Sequence, residues 1–222
     1  MVIKKAKGCY IFDSNGNQYI DTTMGSGAQI IGHNNELIRK TFQQVKKGTI
    51  YTIPNHHTDK VNKRLKKINP HFHNEYIFCN SGTEANMRAI RLARAYTKKD
   101  IIGRFHGGWH GGLDGCIEGD GVPSKTNSLF KILPYNDDKC FDMLTKDMAA
   151  VIIEPSQGSN PRTDVGEFLQ ELRKRCDELD IVLIFDEVMS GFRIARGGGQ
   201  ELFQIQPDLI TYGKVLGGGF PI

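Results

Sequence analysis

Ile181-Val182-Leu183-Ile184-Phe185-Asp186-Glu187-Val188 is an apolar run that ends on two adjacent carboxylates. A short apolar stretch without alternation suits a strand buried on both faces, and such strands belong to mostly parallel sheets covered by helices. The same rhythm continues on both sides of it. Residues 76–79, 101–105, 129–133, 149–153 and 208–212 read as further strands, and residues 83–96 and 167–179 carry helical periodicity between them. The expected fold class is therefore α/β. Ligands in such sheets sit beyond the carboxyl ends of the strands, which gathers Asn80, His106, Glu154, Asp186 and Gly213 on one rim. Downstream, Thr211-Tyr212-Gly213-Lys214-Val215-Leu216-Gly217-Gly218-Gly219-Phe220-Pro221 sets a lysine in a glycine-rich turn beside that rim.

The first third of the chain differs in pattern. Residues 9–21 alternate apolar and polar around Asn15-Gly16, a two-residue hairpin signal in which both central positions must tolerate positive φ. Residues 35–45 and 58–68 have helical spacing, with Pro54 and Pro70 punctuating the connections. The expected organisation is an N-terminal segment of hairpin and helices over residues 1–69, then the main body over residues 70–222.

Composition narrows the class. With 39% hydrophobic and 24% charged residues the chain has the make-up of a soluble globular protein of one or two domains. No apolar run approaches the ~20 residues that span a bilayer, and Met1-Val2-Ile3-Lys4-Lys5 offers no apolar core of a secretion signal. The expectation is a cytoplasmic protein with no membrane partner. Cys9, Cys79, Cys116, Cys140 and Cys176 are scattered, odd in number and never spaced as a CxxC pair, which argues against disulfides and a zinc knuckle. The net charge of +4 is concentrated in part between Lys46 and Lys67. There Val61, Leu65 and Ile68 fall at helical spacing, so the basic residues read as a solvated helix face rather than a nucleic-acid site.

Several short stretches carry chemistry. Ser81-Gly82-Thr83 follows an expected strand and opens a helix, so Gly82 and Thr83 can aim backbone N–H groups at a phosphate; the same residues read equally as an ordinary helix cap. Phe105-His106-Gly107-Gly108-Trp109-His110-Gly111-Gly112 sets aromatic and imidazole groups in a glycine-rich loop, where a ring can lie on a planar ligand. His106 and His110 have an HxxxH spacing, but the glycines oppose the helix that metal binding would need, so no metal is expected. Asp186 closes an apolar run and calls for a compensating cation. Glu187, on the opposite face by strand alternation, reads as structural. A lysine that forms a Schiff base with a cofactor aldehyde, paired with an acid that keeps a pyridine nitrogen protonated, is the arrangement of pyridoxal 5'-phosphate (PLP) enzymes.

Three stretches resemble the class III PLP-dependent aminotransferases: Phe185-Asp186-Glu187-Val188-Met189-Ser190-Gly191-Phe192-Arg193, the run from Tyr212 to Pro221, and Asn80-Ser81-Gly82-Thr83-Glu84-Ala85-Asn86. Within that family the flavour of Gly191-Phe192-Arg193-Ile194-Ala195 and Gly198-Gly199-Gln200 is similar to glutamate-1-semialdehyde 2,1-aminomutases. The resemblance implies a fold type I PLP transferase and a homodimer acting on small amino and keto substrates. It makes Lys214 the Schiff-base lysine and proton shuttle, and Asp186 the partner of the pyridine nitrogen. Ser81, Gly82 and Thr83 become the phosphate turn, Phe105 the ring that stacks on the pyridine, and His106 and Val188 neighbours of the cofactor. Trp109 is then a packing residue of the loop. Glu154, in Glu154-Pro155-Ser156-Gln157-Gly158, matches an EP motif that orders the floor of the cofactor site. Ser26 falls where relatives line the substrate pocket.

The pattern is not met everywhere. Aminomutases resembled here carry tryptophan in place of Ser26 and asparagine near Ser159, and a longer gating loop than residues 111–131 allow. A short loop should let an intermediate escape and favour plain transamination of an amino acid, amine or amino sugar. Family members are about twice as long, so the sequence reads as a fragment without the C-terminal domain, which leaves an inactive interaction module as a competitor. A metal-dependent hydrolase built on His56, His57, His71, His73, His106 and His110 is the other.

Overall fold

A computed structural model describes residues 1–33, 35–48, 51, 53–69 and 76–222. The chain divides into two compact units, Met1–Ile77 with Gly217–Phe220, and Phe78–Leu216 with Pro221–Ile222.

In the first unit β1 (Ile3–Lys7), β2 (Tyr10–Asp13) and β3 (Gln18–Ile20) form an antiparallel meander. The expected hairpin is its second half, and β1 is the strand that the alternation starting at residue 9 did not include. Its turn needs one left-handed residue rather than two: Gly16 has φ 89°, while Asn15 stays out of that region. Asp13 stabilises the turn instead, its Oδ1 accepting the N–H groups of Asn15 and Asn17, each at 2.9 Å. Two helices follow, α1 (Asn35–Val45) and α2 (His56–Ile68). The second starts ahead of residue 58 because Asn55 caps it, accepting from the N–H groups of His57 and Thr58. Pro70, His71 and His73 lie outside the described residues.

The second unit holds α3 (Gly82–Thr97), β4 (Ile101–Phe105), β5 (Phe130–Leu133), β6 (Met148–Ile153), α4 (Gly166–Leu179), β7 (Val182–Asp186), α5 (Gly199–Phe203) and β8 (Leu209–Thr211). Its five strands are all parallel, in the order β5-β4-β6-β7-β8. Every residue of β6 and β7 is buried, as the apolar runs require. Alternation then assigns faces: Ile152, Val182 and Ile184 pack with Ala89, Ile90 and Ala93 of α3, whereas Val151, Ile153, Leu183 and Phe185 pack with Leu169, Leu172 and Cys176 of α4. Each such large side chain contributes roughly 1.5–3 kcal/mol by leaving water. This pleat fixes the chemistry at the end of β7, since Asp186 emerges on the α3 side and Glu187 on the other.

One expected strand is missing. Residues 76–79 belong to neither sheet, and Ile77 is 71% exposed. An apolar tetrapeptide reads as a strand from its own residues, whereas strand formation depends on the surface it packs against.

Candidate active site

Asp186 is 1% exposed, and side chains from distant parts of the chain converge on it. Its Oδ2 accepts the Asn86 Nδ2–H of α3 at 2.7 Å and lies 2.7 Å from His110 Nδ1, while Oδ1 accepts the Val188 N–H at 3.0 Å. Asn86 is held in turn. Its Nδ2 also donates to the His110 carbonyl at 3.1 Å, and its Oδ1 accepts the Thr211 hydroxyl at the end of β8, 2.7 Å away. A carboxylate can only accept, so the Nδ1 of His110 carries the proton. His110 is itself fully enclosed, and its Nε2 has no partner among the described residues. The only ion-pair partner of Asp186 among those residues is this imidazole. A buried carboxylate without a firm cation is what a pyridinium nitrogen would complete.

The phosphate turn and the lysine are drawn together by small residues. A Cβ on Gly82 would fall 2.8 Å from both methyls of Val188, and one on Gly213 would fall 3.1 Å from the nearer methyl. Glycine at both places therefore lets Val188 sit between the start of α3 and the turn that carries Lys214. A Cβ on Gly111 would lie 2.1 Å from the Thr83 hydroxyl, so the loop bearing His110 also presses on that turn. Ser81 takes the capping role, its Oγ accepting the Glu84 N–H at 3.2 Å. The N–H groups of Gly82 and Thr83 have no acceptor among the described residues, and they point along the positive end of a 16-residue helix. The cap thus falls to Ser81 and leaves the Gly82 and Thr83 amides open. Lys214 is half-buried with a left-handed φ of 42°, and its amine makes no hydrogen bond or ion pair among the described residues.

Two expected neighbours of the cofactor, Phe105 and His106, do not face Asp186. Phe105 is 1% exposed and sits in the core on the α4 side, edge-on to Phe168 and Tyr135 with ring centroids 5.8 and 6.0 Å away. Strand alternation points it away from Asp186, so it cannot stack on a ligand there. His106 is exposed and lines a separate polar cleft of about 430 Å³ with Tyr135, Gln157, Ser159 and Arg162. Glu154 is buried with both oxygens engaged, accepting the N–H groups of Trp109 at 2.8 Å and Gly158 at 3.0 Å, and burial pushes its carboxyl up. Through these bonds it orders the loop that carries Trp109 and His110, in keeping with the floor role expected of it. Ser26 belongs to the first unit, within a run of left-handed residues from Met24 to Gly27.

Trp109 and His110 are the residues that were missed. Trp109 is 61% exposed, with its backbone clamped by Glu154 and the next residue bonded to Asp186. The aromatic-His-Gly triplet occurs twice, at 105–107 and at 109–111, and only the second has its imidazole on the buried acid. Among the described residues no group of three His, Cys, Asp or Glu side chains could hold a metal ion.

The family model of class III aminotransferases matches residues 1–222. The chain belongs to the class III aminotransferases. It is 39% identical over 239 aligned positions to a glutamate-1-semialdehyde 2,1-aminomutase of Methanosphaera stadtmanae, covering 99% of this chain and 56% of that protein. Among solved structures it superposes with a TM-score of 0.90 on an omega-transaminase from Sphaerobacter thermophilus, at 30% identity over 99% of this chain and 56% of the other. A transaminase with PLP bound gives the same TM-score at 28% identity, again over 99% and 56%. The chain thus spans about half the length of the curated relatives it matches. Class III aminotransferases work with pyridoxal 5'-phosphate, and the buried acid, the open amides and a lysine without a partner among the described residues fit that cofactor.

Proposed function

We propose that this chain carries the cofactor pocket of an enzyme that moves an amino group, with conversion of glutamate 1-semialdehyde to 5-aminolevulinate as its reaction. The observation that supports it is the Asp186 cluster, a carboxylate sealed by His110 and Asn86, with Val188 packed on Gly213 beside the unpartnered Lys214. When bound, pyridoxal phosphate supplies an electron-accepting ring and an aldehyde carbon. Asp186 would keep the pyridine nitrogen charged, and His110 and Asn86 hold that carboxylate in one orientation. Gly82 and Thr83 would take the phosphate on their N–H groups. Trp109 offers a ring face and Val188 an apolar one. Lys214 would hold the cofactor covalently and, once displaced, move the proton at the substrate carbon. The reading extends to a cytoplasmic homodimer that handles small amino and keto compounds in tetrapyrrole synthesis.

A second reading, amino transfer to a separate carbonyl acceptor, is favoured by the loop after Gly111. The 239 aligned positions exceed the 222 residues of this chain, so the aminomutase relative has extra residues inside the matched span. The loop in this chain is tied down: Cys116 is 3% exposed in the core, Gly115 lies against the Phe130 ring, and Glu118 pairs with Arg104 at 2.9 Å. A pinned loop retains an intermediate less well than a closing one. Chromatography of products from glutamate 1-semialdehyde separates the two. 5-Aminolevulinate formed without added donor supports isomerisation, and turnover only with a separate amine and keto acid supports transamination. No conversion of any amino or keto compound by the PLP-loaded protein would contradict both.

A further inference from the structure

Glu187 is 1% exposed on the face of β7 opposite Asp186 and has no part in the pocket just described. Its carboxylate gathers two loops. Oε2 accepts the Ser190 hydroxyl, Oε1 accepts the Gln200 N–H at 3.1 Å, and the Gly199 N–H also donates to it. Gly198, with φ 78°, approaches so closely that a Cβ would lie 2.5 Å from Oε2, and a Cβ on Gly199 would lie 2.5 Å from the Pro155 ring. Glycine at 198 and 199 is thereby explained as backbone packed against the buried Glu187 carboxyl and the Pro155 ring.

The two loops close on Tyr212. Gly191, whose N–H donates to the Glu187 carbonyl at 2.8 Å, lies flat on the Tyr212 ring, where a Cβ would come within 2.7 Å. The Phe192 ring sits 4.9 Å from that of Tyr212, inclined by 36°. Gln200 Nε2 donates to the Tyr212 hydroxyl at 3.3 Å. Tyr212 is buried, and Gly213 alone separates it from Lys214. The left-handed backbone of Lys214 is unfavourable for a non-glycine residue, and such strain persists only where the surroundings over-determine it. The tyrosine socket supplies that constraint on the N-terminal side of the lysine.

We propose that Glu187 is a positioning residue for Lys214, acting through Ser190, Gln200 and the clamped ring of Tyr212. The proposal rests on the role given to Lys214 above, while its geometry belongs to the chain alone. The test reads the lysine without cofactor: acylation of Lys214 by an amine-reactive reagent, measured by peptide mass spectrometry against the exposed Lys146 as internal reference. Glu187→Gln and Tyr212→Phe should each raise the Lys214 to Lys146 rate ratio several-fold. On adding PLP and borohydride, the rate of trapping at Lys214 should fall roughly ten- to a hundred-fold, as expected of a misplaced reacting group. Both variants folded, with lower melting temperatures but an unchanged labelling ratio, would overturn the proposal and leave Glu187 a scaffold residue. Tyr212→Phe, which removes one hydroxyl and keeps the ring, carries the test should Glu187→Gln fail to fold. Absence of any trapped cofactor in the unmutated protein would sink the role of Lys214, whereas the labelling ratio still decides the positioning claim.

Discussion

Asp186 and Glu187 are neighbours in sequence, both carboxylates and both 1% exposed, yet the pleat sends them into opposite surroundings. Asp186 is met by side chains: Asn86 from α3 and His110 from the loop after β4, with Thr211 behind Asn86. Glu187 is met by backbone N–H groups and a hydroxyl from the segment that follows it, between 3 and 13 residues on. The first arrangement fixes one carboxylate oxygen pair relative to residues far away in the chain. The second ties a loop to its own strand. Burial alone therefore does not tell the two acids apart; the origin of their donors does.

The largest separation between the two should come from isosteric amides. Asp186→Asn is expected to lower kcat by roughly a thousand-fold, the scale on which a developing charge loses its fixed partner, with little change in the melting temperature of the cofactor-free protein. Comparable melting losses without a kinetic loss would place Asp186 with Glu187 as scaffold. Next in size is the pair Phe105 and Trp109, the one buried in the core and the other exposed. Phe105→Ala should cost about 3–5 kcal/mol of stability by opening a core cavity, read by denaturant titration. Trp109→Ala should leave stability nearly unchanged and weaken PLP binding by the about 0.5–1.5 kcal/mol typical of an aromatic contact, read by cofactor titration.

The pH dependence of stability comes third. Burial raises the Glu187 carboxyl from 4.5 to about 7, with the Ser190 and backbone hydrogen bonds opposing that shift. Between those values the folded chain keeps a proton that the unfolded chain has released, so stability falls as pH rises from 4.5 to about 7 and then levels. The full effect is at most about 3 kcal/mol. Asp21 acts with the opposite sign: hydrogen bonds led by the Met24 N–H and then His33 lower it from 3.8 to about 2, so its contribution is gained as pH rises through that range. Melting curves from pH 4.5 to 8 should show the decline, and Glu187→Gln should remove most of it. The last change is at Gly198, where Ala meets both positive φ and the Glu187 carboxylate. That substitution should cost about 1–3 kcal/mol.

Much of the scaffold was legible because its cause is local. The run 181–185 is buried from end to end, and the strand and helix spacing around it recurs in β4, β6, α3 and α4. Residues 76–79 failed for the opposite reason, since pairing is a property of the neighbour. At the site, Asp186, Gly82, Thr83, Val188 and Lys214 could be picked out from strand ends, a helix start and a glycine turn. The partners of Asp186 could not, because Asn86 and His110 lie 100 and 76 residues away in the chain. Phe105 was misassigned because two aromatic-His-Gly triplets stand four residues apart and only strand register tells which faces the core.

The measurement that tests the reading most directly is borohydride reduction of the protein after incubation with PLP, followed by peptide mass spectrometry, with Lys214→Ala alongside. A reduced cofactor adduct confined to the peptide of Lys214, and lost in the variant, is the predicted result. An adduct spread over surface lysines and unchanged by Lys214→Ala, or none at all in folded protein, would contradict it.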